Sequence, residues 1–222
     1  MELKTVAIYR CDFPGKFGIP RQSGLVKSLE GKVVFEKEYA SPEACRGLEG
    51  FSHIWLLWGF SEAKRSGNSL TVRPPRLGGN KRVGVFATRS PFRPNPIGLS
   101  CVELVGIREG KEGVVLEVRG GDLMDGTPVY DVKPYLPFAD SVPEAREGFA
   151  GEVKEDALAV TVPEDLLERV PEEKREALRE VLRGDPRPGY HSDGERVYGF
   201  PFAGKEIRFV VKDGLLTVTD IF

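Results

Sequence analysis

Short segments in which apolar and polar residues alternate dominate the first 140 positions of the chain. Such alternation predicts strands of a sheet with one buried face. The predicted strands are residues 3–9, 32–38, 53–59, 82–87, 100–107, 113–119 and 127–132. The segment 53–59 (HIWLLWG) is apolar throughout, which favours burial on both faces and possible contact with a second subunit. Many short strands with few helices predict a β-barrel or a sandwich, and a closed barrel leaves no open edge.

The pattern changes near residue 140, where a polar stretch is followed by helical periodicity. Residues 163–170 and 172–183 fit amphipathic helices, and Gly184 can end the second one. Two strands are predicted after them, at 205–212 and 214–221. The chain is therefore predicted to be mainly β. It divides into an N-terminal β-barrel domain at 1–142, a linker region at 143–162 and a small α+β C-terminal domain at 163–222.

Basic residues are concentrated in the middle of a chain whose formal net charge is only −2. No Asp or Glu occurs from Ala63 to Val102. The basic residues of this window are Lys64, Arg65, Arg73, Arg76, Lys81, Arg82, Arg89 and Arg93. A basic patch in a nearly neutral protein favours a polyanionic partner met on one face. A solvated basic face balanced by acidic helices elsewhere fits the charge pattern equally well.

Several classes of function are disfavoured by what the sequence lacks. Apolar runs are too short for a membrane-spanning helix, and the N-terminus has no signal-peptide layout, so a cytoplasmic location is expected. Neither of the two standard phosphate-binding loops, G-x-G-x-x-G and G-x-x-x-x-G-K-[ST], is present. Three cysteines without a C-x-x-C pair and only two histidines argue against a metal site.

Four segments rich in glycine and proline adjoin the predicted strands. They are FGIPRQSGL (17–25), RPPRLGGN (73–80), FATRSPFRPNPIGLS (86–100) and GGDLMDGTPVYDVKPYLPF (120–138). Loops of a barrel can gather at one end, where proline would hold polar side chains in place. The side chains expected there are Arg21, Gln22, Arg89, Arg93, Asn95, Asp122, Asp125 and Asp131. A preorganised binding site is favoured, although a single such loop would be explained by turn formation alone.

These segments, together with RGLEGFSHIWLL (46–57) and DPRPGY (185–190), closely resemble the TsaA/TrmO-like family over nearly the whole chain. Members of that family are S-adenosylmethionine-dependent tRNA methyltransferases. The resemblance implies a β-barrel catalytic domain in place of a Rossmann-like sheet, which agrees with the missing glycine fingerprint. It also implies a homodimer that binds S-adenosylmethionine near the subunit interface. The expected reaction is methylation of N6 of threonylcarbamoyladenosine, just 3′ of the anticodon of tRNA.

The family's cofactor site transfers onto this sequence by motif. The residues implied are Pro20, Arg21 and Gln22 of PRQ, then Phe60, Ser61 and Glu62, then Arg89 of ATRS, Leu99 after NPIG, and Asp125, Gly126, Thr127 and Pro128 of DGTP. The sequence reads FSE at 60–62, where the family shows a pattern like FHQ. An arginine fork suits the cofactor's carboxylate, so Arg89 or Arg21 is expected to bind it.

Catalytic and RNA-binding residues are predicted from the chemistry of the reaction. Asn95 is expected to align the attacking nitrogen, because flanking prolines hold it still, and Asp131 or Asp122 would accept the proton. RNA contacts are predicted for Arg73, Arg76, Lys81, Arg93, Arg187 and Tyr190, with the anticodon stem–loop as the partner. The segment DPRPGY, which contains Arg187 and Tyr190, could equally be a turn that anchors the second domain to the barrel.

Two other functions remain open from the sequence. One keeps S-adenosylmethionine as the methyl donor but changes the acceptor to another RNA base or a small molecule. The other is a non-catalytic barrel that grips RNA with its basic loops and binds no methyl donor. Binding of the cofactor separates the binding module from both enzymes, and nucleoside analysis separates the two enzymes from each other.

Overall fold

The computed structural model describes residues 2–63, 69–74, 81–110, 113–152, 157–187 and 194–222. Within these residues the strands are β1 (Ala7–Cys11), β2 (Glu30–Phe35), β3 (His53–Gly59), β4 (Thr71–Val72), β5 (Val83–Gly84), β6 (Ile97–Gly110), β7 (Gly113–Arg119), β8 (Pro128–Pro134), β9 (Ala159–Thr161), β10 (Tyr198–Phe202), β11 (Lys205–Lys212) and β12 (Leu215–Ile221). The helices are α1 (Pro42–Cys45), α2 (Pro137–Asp140), α3 (Phe149–Glu152), α4 (Glu164–Leu167) and α5 (Arg175–Arg183), with 3₁₀ turns at Leu48–Gly50, Val85–Ala87 and Glu172–Lys174.

Six antiparallel strands close into a barrel in the order β1-β2-β7-β6-β3-β8. The last strand returns to the first where Ala7 faces Val129. Alternate residues of the strands point inward, so Tyr9, Ile54 and Leu116 are completely buried in the barrel interior. This closure pairs each barrel strand with two neighbours and confirms the predicted mainly β fold with an N-terminal barrel.

Two of the differences between the strand prediction and the structure change the architecture. The predicted strand 82–87 ends at Gly84, because Val85–Ala87 forms a 3₁₀ turn. Its short strand β5 pairs with β4 in a two-stranded ribbon outside the barrel. The stretch predicted as a linker contains α3 and β9, and β9 pairs parallel to β12. The C-terminal sheet therefore begins before residue 163.

The C-terminal domain is a four-stranded sheet in the order β10-β11-β12-β9, covered by helices on one side. Helix α5 buries Ala177, Leu178, Val181 and Leu182, as its amphipathic pattern predicts, and Gly184 follows it. Phe200, Phe209 and Ile221 of the sheet are fully buried in the same core. No helix among the described residues is long and apolar enough to span a membrane.

The connection between β1 and β2, residues 12–29, joins the two domains and is called the β1–β2 segment. Its residues Phe13, Val26 and Leu29 are buried in the core of the C-terminal domain rather than in the barrel. The ring of Phe13 lies 5.1 Å from that of Phe202. Gly18 has φ +90°, and a Cβ there would lie 2.5 Å from the ring of Phe200, so only glycine fits. The β1–β2 segment therefore belongs to the core of the C-terminal domain, and the barrel has a separate core of its own.

We expect Phe13→Ala to destabilise the whole protein. Phe13 is completely buried in the C-terminal core, and its removal leaves a cavity there that costs about 3–5 kcal/mol. Chemical denaturation measures the free energy of unfolding. Phe138→Ala, at a position 88% exposed, is the matched control and should change it by less than about 0.5 kcal/mol. A similarly small change in Phe13→Ala would contradict the packing of the β1–β2 segment in the C-terminal core.

Candidate active site

A cleft of about 680 Å³ opens at the end of the barrel where β1, β3 and β7 finish and β6 and β8 begin. Three of the four predicted loops meet there, since the cleft is lined by parts of the β1–β2 segment, the loop 88–93 and the loop 122–127. The fourth, RPPRLGGN, lies partly outside the described residues. The sequence predicted that the loops gather at one end of the barrel, and these three loops do so.

Nine of the twelve residues assigned to the cofactor by resemblance line this cleft. They are Pro20, Arg21, Gln22, Phe60, Ser61, Glu62, Arg89, Leu99 and Thr127. These residues come from four separate parts of the chain. The cleft thus brings two arginines, polar side chains and aromatic surface to one place.

The remaining three cofactor candidates, Asp125, Gly126 and Pro128, do not line the cleft. Asp125 accepts a hydrogen bond from the backbone N–H of Cys11 (3.1 Å) and pairs with Arg10 (3.4 Å). Gly126 adopts φ +79°, and Pro128 begins β8 opposite Ile8. In this chain the DGTP motif forms a turn that fastens β8 to the end of β1, while Thr127 alone faces the cleft.

A chain of buried polar groups forms the floor of the cleft. The indole Nε1 of Trp58 donates to Ser100 Oγ (2.9 Å), and the Ser100 hydroxyl donates to Asp122 Oδ1. A Cβ at Gly98 would lie 2.3 Å from the Trp58 ring, so glycine at 98 leaves room for the indole. The Phe60 ring lies 4.3 Å from the Trp58 ring. This floor combines flat aromatic surface with one carboxylate.

Burial raises the pKa of the Asp122 carboxyl above its ordinary value, and this effect outweighs the opposing contacts. The hydroxyl of Ser100, the backbone N–H groups of Asp122 and Ser23, and the charge of Arg89 each favour the ionised form. Asp122 lines the cleft. A desolvated carboxylate with a raised pKa, facing a cleft, has the properties of a proton acceptor.

Two of the three arginines that line the cleft, Arg21 and Arg89, are linked through Gln22. The Arg89 guanidinium donates to the Gln22 side-chain oxygen, and the Gln22 amide donates to the backbone oxygen of Arg21. The Arg21 guanidinium donates to the backbone oxygens of Asp185 (3.1 Å) and Arg187 (3.3 Å) in the C-terminal domain. The cationic side of the cleft is therefore held by both domains.

The predicted catalytic residues Asn95 and Asp131 lie outside the lining of the cleft. Asn95 is exposed, and its backbone oxygen accepts from the N–H of Ile97 (2.8 Å). Asp131 sits on the outer face of β8, where it pairs with Lys133 (2.7 Å). Their catalytic roles stay predictions. Asp122, which sequence reasoning named only as an alternative proton acceptor, is the carboxylate that faces the cleft.

The predicted RNA-binding residues fall into three groups. Arg73 and Lys81 are exposed beside the β4–β5 ribbon, which connects two parts of the cleft wall. Arg93 lines the cleft and donates to the Thr88 backbone oxygen (3.0 Å), whereas Arg187 pairs with Asp185 (2.8 Å). Arg76 and Tyr190 lie outside the described residues.

Sequence reasoning missed the aromatic and hydroxyl floor of the cleft. Trp58 and Ser100 are 42 positions apart in sequence and look like ordinary strand residues. The available signal was glycine at 98 inside an apolar strand, because such a glycine indicates the close approach of another group. In the described residues no group of three or more His, Cys, Asp and Glu side chains could hold a metal ion.

Comparison with known proteins assigns the family. The model of the tRNA-methyltransferase O N-terminal domain matches residues 8–141, and that of the TrmO C-terminal domain matches residues 155–222. The chain belongs to the TrmO family. The tRNA (adenine(37)-N6)-methyltransferase of Escherichia coli is 45% identical over 200 residues, which cover 87% of this chain and 85% of that protein.

Other relatives agree with the TrmO assignment. A probable S-adenosyl-L-methionine-binding protein of Pyrococcus abyssi is 38% identical over 146 residues, covering 66% of this chain and 74% of that protein. A crystal structure of TrmO from Pseudomonas aeruginosa superimposes with a TM-score of 0.81 at 33% identity, covering all of this chain and 96% of the other. The likeness therefore includes the C-terminal domain as well as the barrel.

Replacement of Ser100 tests the polar floor. We expect Ser100→Ala to lower the free energy of unfolding by about 1–3 kcal/mol, because the buried Trp58 N–H loses its acceptor. The pKa of Asp122 should rise further, since the Ser100 hydroxyl favours the ionised form. Chemical denaturation measures the stability. Ser52→Ala, which removes an exposed hydroxyl bonded to His53, is the control. Equal stability of the two variants would contradict a stabilising role for the Trp58–Ser100–Asp122 hydrogen bonds.

Proposed function

We propose that this protein transfers a methyl group from S-adenosylmethionine to N6 of adenosine 37 of tRNA, with threonylcarbamoyladenosine as the modified form it acts on. The observation that carries this proposal is the convergence of nine expected cofactor residues on one cleft. The name of the Escherichia coli relative supports the same reaction. The activity therefore rests on the cleft's composition together with membership of the TrmO family.

The chemistry of the cleft fits the cofactor. Arg89 and Arg21 supply guanidinium donors for a carboxylate, and Trp58 with Phe60 supplies flat apolar surface for a purine ring. The volume of about 680 Å³ lies within the range of cofactor pockets. When bound, S-adenosylmethionine supplies a methyl group activated by the adjacent sulfonium. The protein's own contribution is to orient both reactants and to take up a proton.

Asp122 is the proposed proton acceptor. As the N6–CH₃ bond forms and the methyl–sulfur bond breaks, the nitrogen must lose its hydrogen, which passes as a proton to a carboxylate oxygen of Asp122. The buried position of Asp122 raises its affinity for that proton. Ser100 holds the carboxylate in one orientation through its hydroxyl. The role extends the sequence prediction, in which Asp122 was the alternative to Asp131.

Two finer parts of the proposal concern assembly and location. The outer faces of β3 and β6 carry Trp55, Leu57 and Leu99, and Leu99 is 54% exposed. Trp55 and Leu99 also line the cleft, so apolar surface continues from the cleft onto the outside of the barrel. This continuity supports a homodimer in which a second copy covers the cleft's outer edge. A tRNA substrate supports a cytoplasmic location.

A methylation assay tests the proposed function. Protein incubated with S-adenosylmethionine and tRNA should add one methyl group to threonylcarbamoyladenosine, detected by mass analysis of the nucleosides. Arg89→Met should weaken cofactor binding about 30-fold or more in calorimetry, because the carboxylate loses its charged partner. Arg82→Met is the control, since Arg82 is exposed and bonds Thr71 outside the cleft. Methylation of a different nucleoside would favour a methyltransferase with another acceptor. A protein that binds no cofactor would instead be a non-catalytic RNA-binding barrel.

Replacement of Asp122 tests the proton acceptor. We expect Asp122→Asn to lower kcat about a hundredfold or more while cofactor affinity changes little. In the wild type, kcat should fall as the pH drops through the raised pKa of Asp122, because the protonated acid cannot accept a proton, and the variant should lack this dependence. Asp131→Asn is the matched variant. If Asp122→Asn kept full activity and Asp131→Asn lost activity, Asp131 would be the proton acceptor instead.

A further inference from the structure

We propose that the C-terminal domain positions the cofactor-binding arginines of the barrel, and that Asp185 and Arg187 are the residues through which it does so. The inference rests on the proposed cofactor site. It gives the second domain a role in binding the methyl donor. Three sets of contacts support it: the burial of the β1–β2 segment, the bonds to Arg21, and the relay from Arg21 to Arg89.

The β1–β2 segment has two sides that serve different domains. Its apolar residues Phe13, Val26 and Leu29 are buried in the C-terminal core, and Ile19 packs against the same core. The residues that follow Ile19, namely Pro20, Arg21 and Gln22, line the cleft. A loop of this length held only at its ends would sample many conformations. Burial in the second domain therefore restricts the conformations of the very residues that face the cofactor.

The turn at 185–187 holds Arg21 directly. Two backbone oxygens, of Asp185 and Arg187, accept hydrogen bonds from Arg21 Nη2 at 3.1 and 3.3 Å. The turn itself is fixed by its own side chains. Asp185 Oδ2 accepts from Arg187 Nη2 (2.8 Å), and Asp185 Oδ1 accepts from Arg187 Nε (2.9 Å) and from the Arg187 backbone N–H (3.2 Å). Asp185 also has φ +48°, a conformation that needs such support.

A relay extends this control to the second arginine. The backbone oxygen of Arg21 accepts from the Gln22 amide, and the Gln22 oxygen accepts from Arg89 Nη1. Displacement of Arg21 would therefore move the acceptor that orients Arg89. Preorganised donors bind an anion more tightly because no ordering remains to be done on binding. Loss of the turn should thus weaken cofactor binding without touching the reacting atoms.

A second anchor lies farther along the segment. Glu180 of helix α5 accepts from both the backbone N–H (3.1 Å) and the hydroxyl (2.8 Å) of Ser28. Lys174 pairs with Asp12 (2.9 Å), which begins the segment, and with Glu30 (3.2 Å), which follows it as the first residue of β2. The C-terminal domain thus contacts the segment near its start at Asp12, in its middle at Arg21 and near its end at Ser28.

The alternative is that Arg187 contacts RNA, as its sequence context allows. Its side chain is only 16% exposed and makes two charged hydrogen bonds within the turn. A phosphate would have to replace the Asp185 carboxylate to be bound there. The observed contacts therefore favour the positioning role, and RNA binding becomes an outcome of the test.

The test compares two aspartates of the C-terminal domain that make similar contacts. Asp185 pairs with an arginine and accepts a backbone N–H; Asp220 pairs with Arg169 (3.3 Å) and accepts the N–H of Ile221 (2.9 Å), away from the β1–β2 segment. We expect Asp185→Ala to raise the Kd of S-adenosylmethionine about tenfold. KM for the cofactor should rise in parallel, with kcat at saturating cofactor within about twofold of wild type. Asp220→Ala should leave all three unchanged.

A readout without cofactor accompanies the binding data. Amide hydrogen exchange of residues 13–23 in the cofactor-free protein should become faster in Asp185→Ala and stay at the wild-type rate in Asp220→Ala. Glu180→Ala is the second variant and should also weaken binding. Its control is Glu176→Ala on the same helix, which pairs only with Arg179 and Arg183 among the described residues.

The outcomes are distinct. A wild-type protein that binds no S-adenosylmethionine would overturn the proposed function. Normal binding by the wild type together with wild-type Kd in Asp185→Ala and Glu180→Ala would overturn only the positioning role. An equal loss of cofactor affinity in Asp220→Ala would also overturn the positioning role, because it would indicate general destabilisation of the domain. If Asp185→Ala left the cofactor Kd unchanged but raised the KM for tRNA, the turn would contact RNA and would not position the arginines.

Discussion

Phe13, Val26 and Leu29 leave the barrel and enter the core of the C-terminal domain, where all three are almost completely buried. Because the chain cannot shift them without exposing that core, the residues between them are held in place as well. Those residues include Arg21 and Gln22, which line the cleft. Hydrophobic packing against the C-terminal domain thus restrains part of a polar site whose lining residues all belong to the barrel domain.

The floor of the cleft follows a different rule, because it contains a buried carboxylate. Asp122 is tolerated there since the Ser100 hydroxyl and backbone N–H groups donate to it, and Arg89 supplies a nearby positive charge. Burial still dominates, which raises the pKa of the carboxyl. The carboxyl therefore takes up a proton more readily than an exposed aspartate does. A proton acceptor benefits from that property.

Sequence reasoning located the strands well where alternation was unbroken. Strand β3 matches the predicted 53–59, and β7 matches 113–119. It failed where pairing depends on distant residues: β9 and β10 were not predicted, since three- and five-residue strands gain their stability from neighbours in the sheet. Most of the residues that the resemblance assigns to the cofactor line the cleft. It could not distinguish Thr127, which faces the cleft, from Asp125, which bonds to β1.

The two arginine-bearing loops of the cleft are rigid for different reasons. In the loop 88–97, successive local bonds maintain the conformation: Thr88 Oγ1 accepts from the Ser90 N–H (3.3 Å), and Ser90 Oγ accepts from the Phe92 N–H (3.2 Å). Prolines at 91, 94 and 96 restrict it further. The β1–β2 segment makes its decisive contacts with another domain. Arg89 therefore stands on a loop that is ordered by its own sequence, whereas Arg21 depends on the C-terminal domain. Gln22 joins the two, so a change in the second domain can reach the first loop through this side chain.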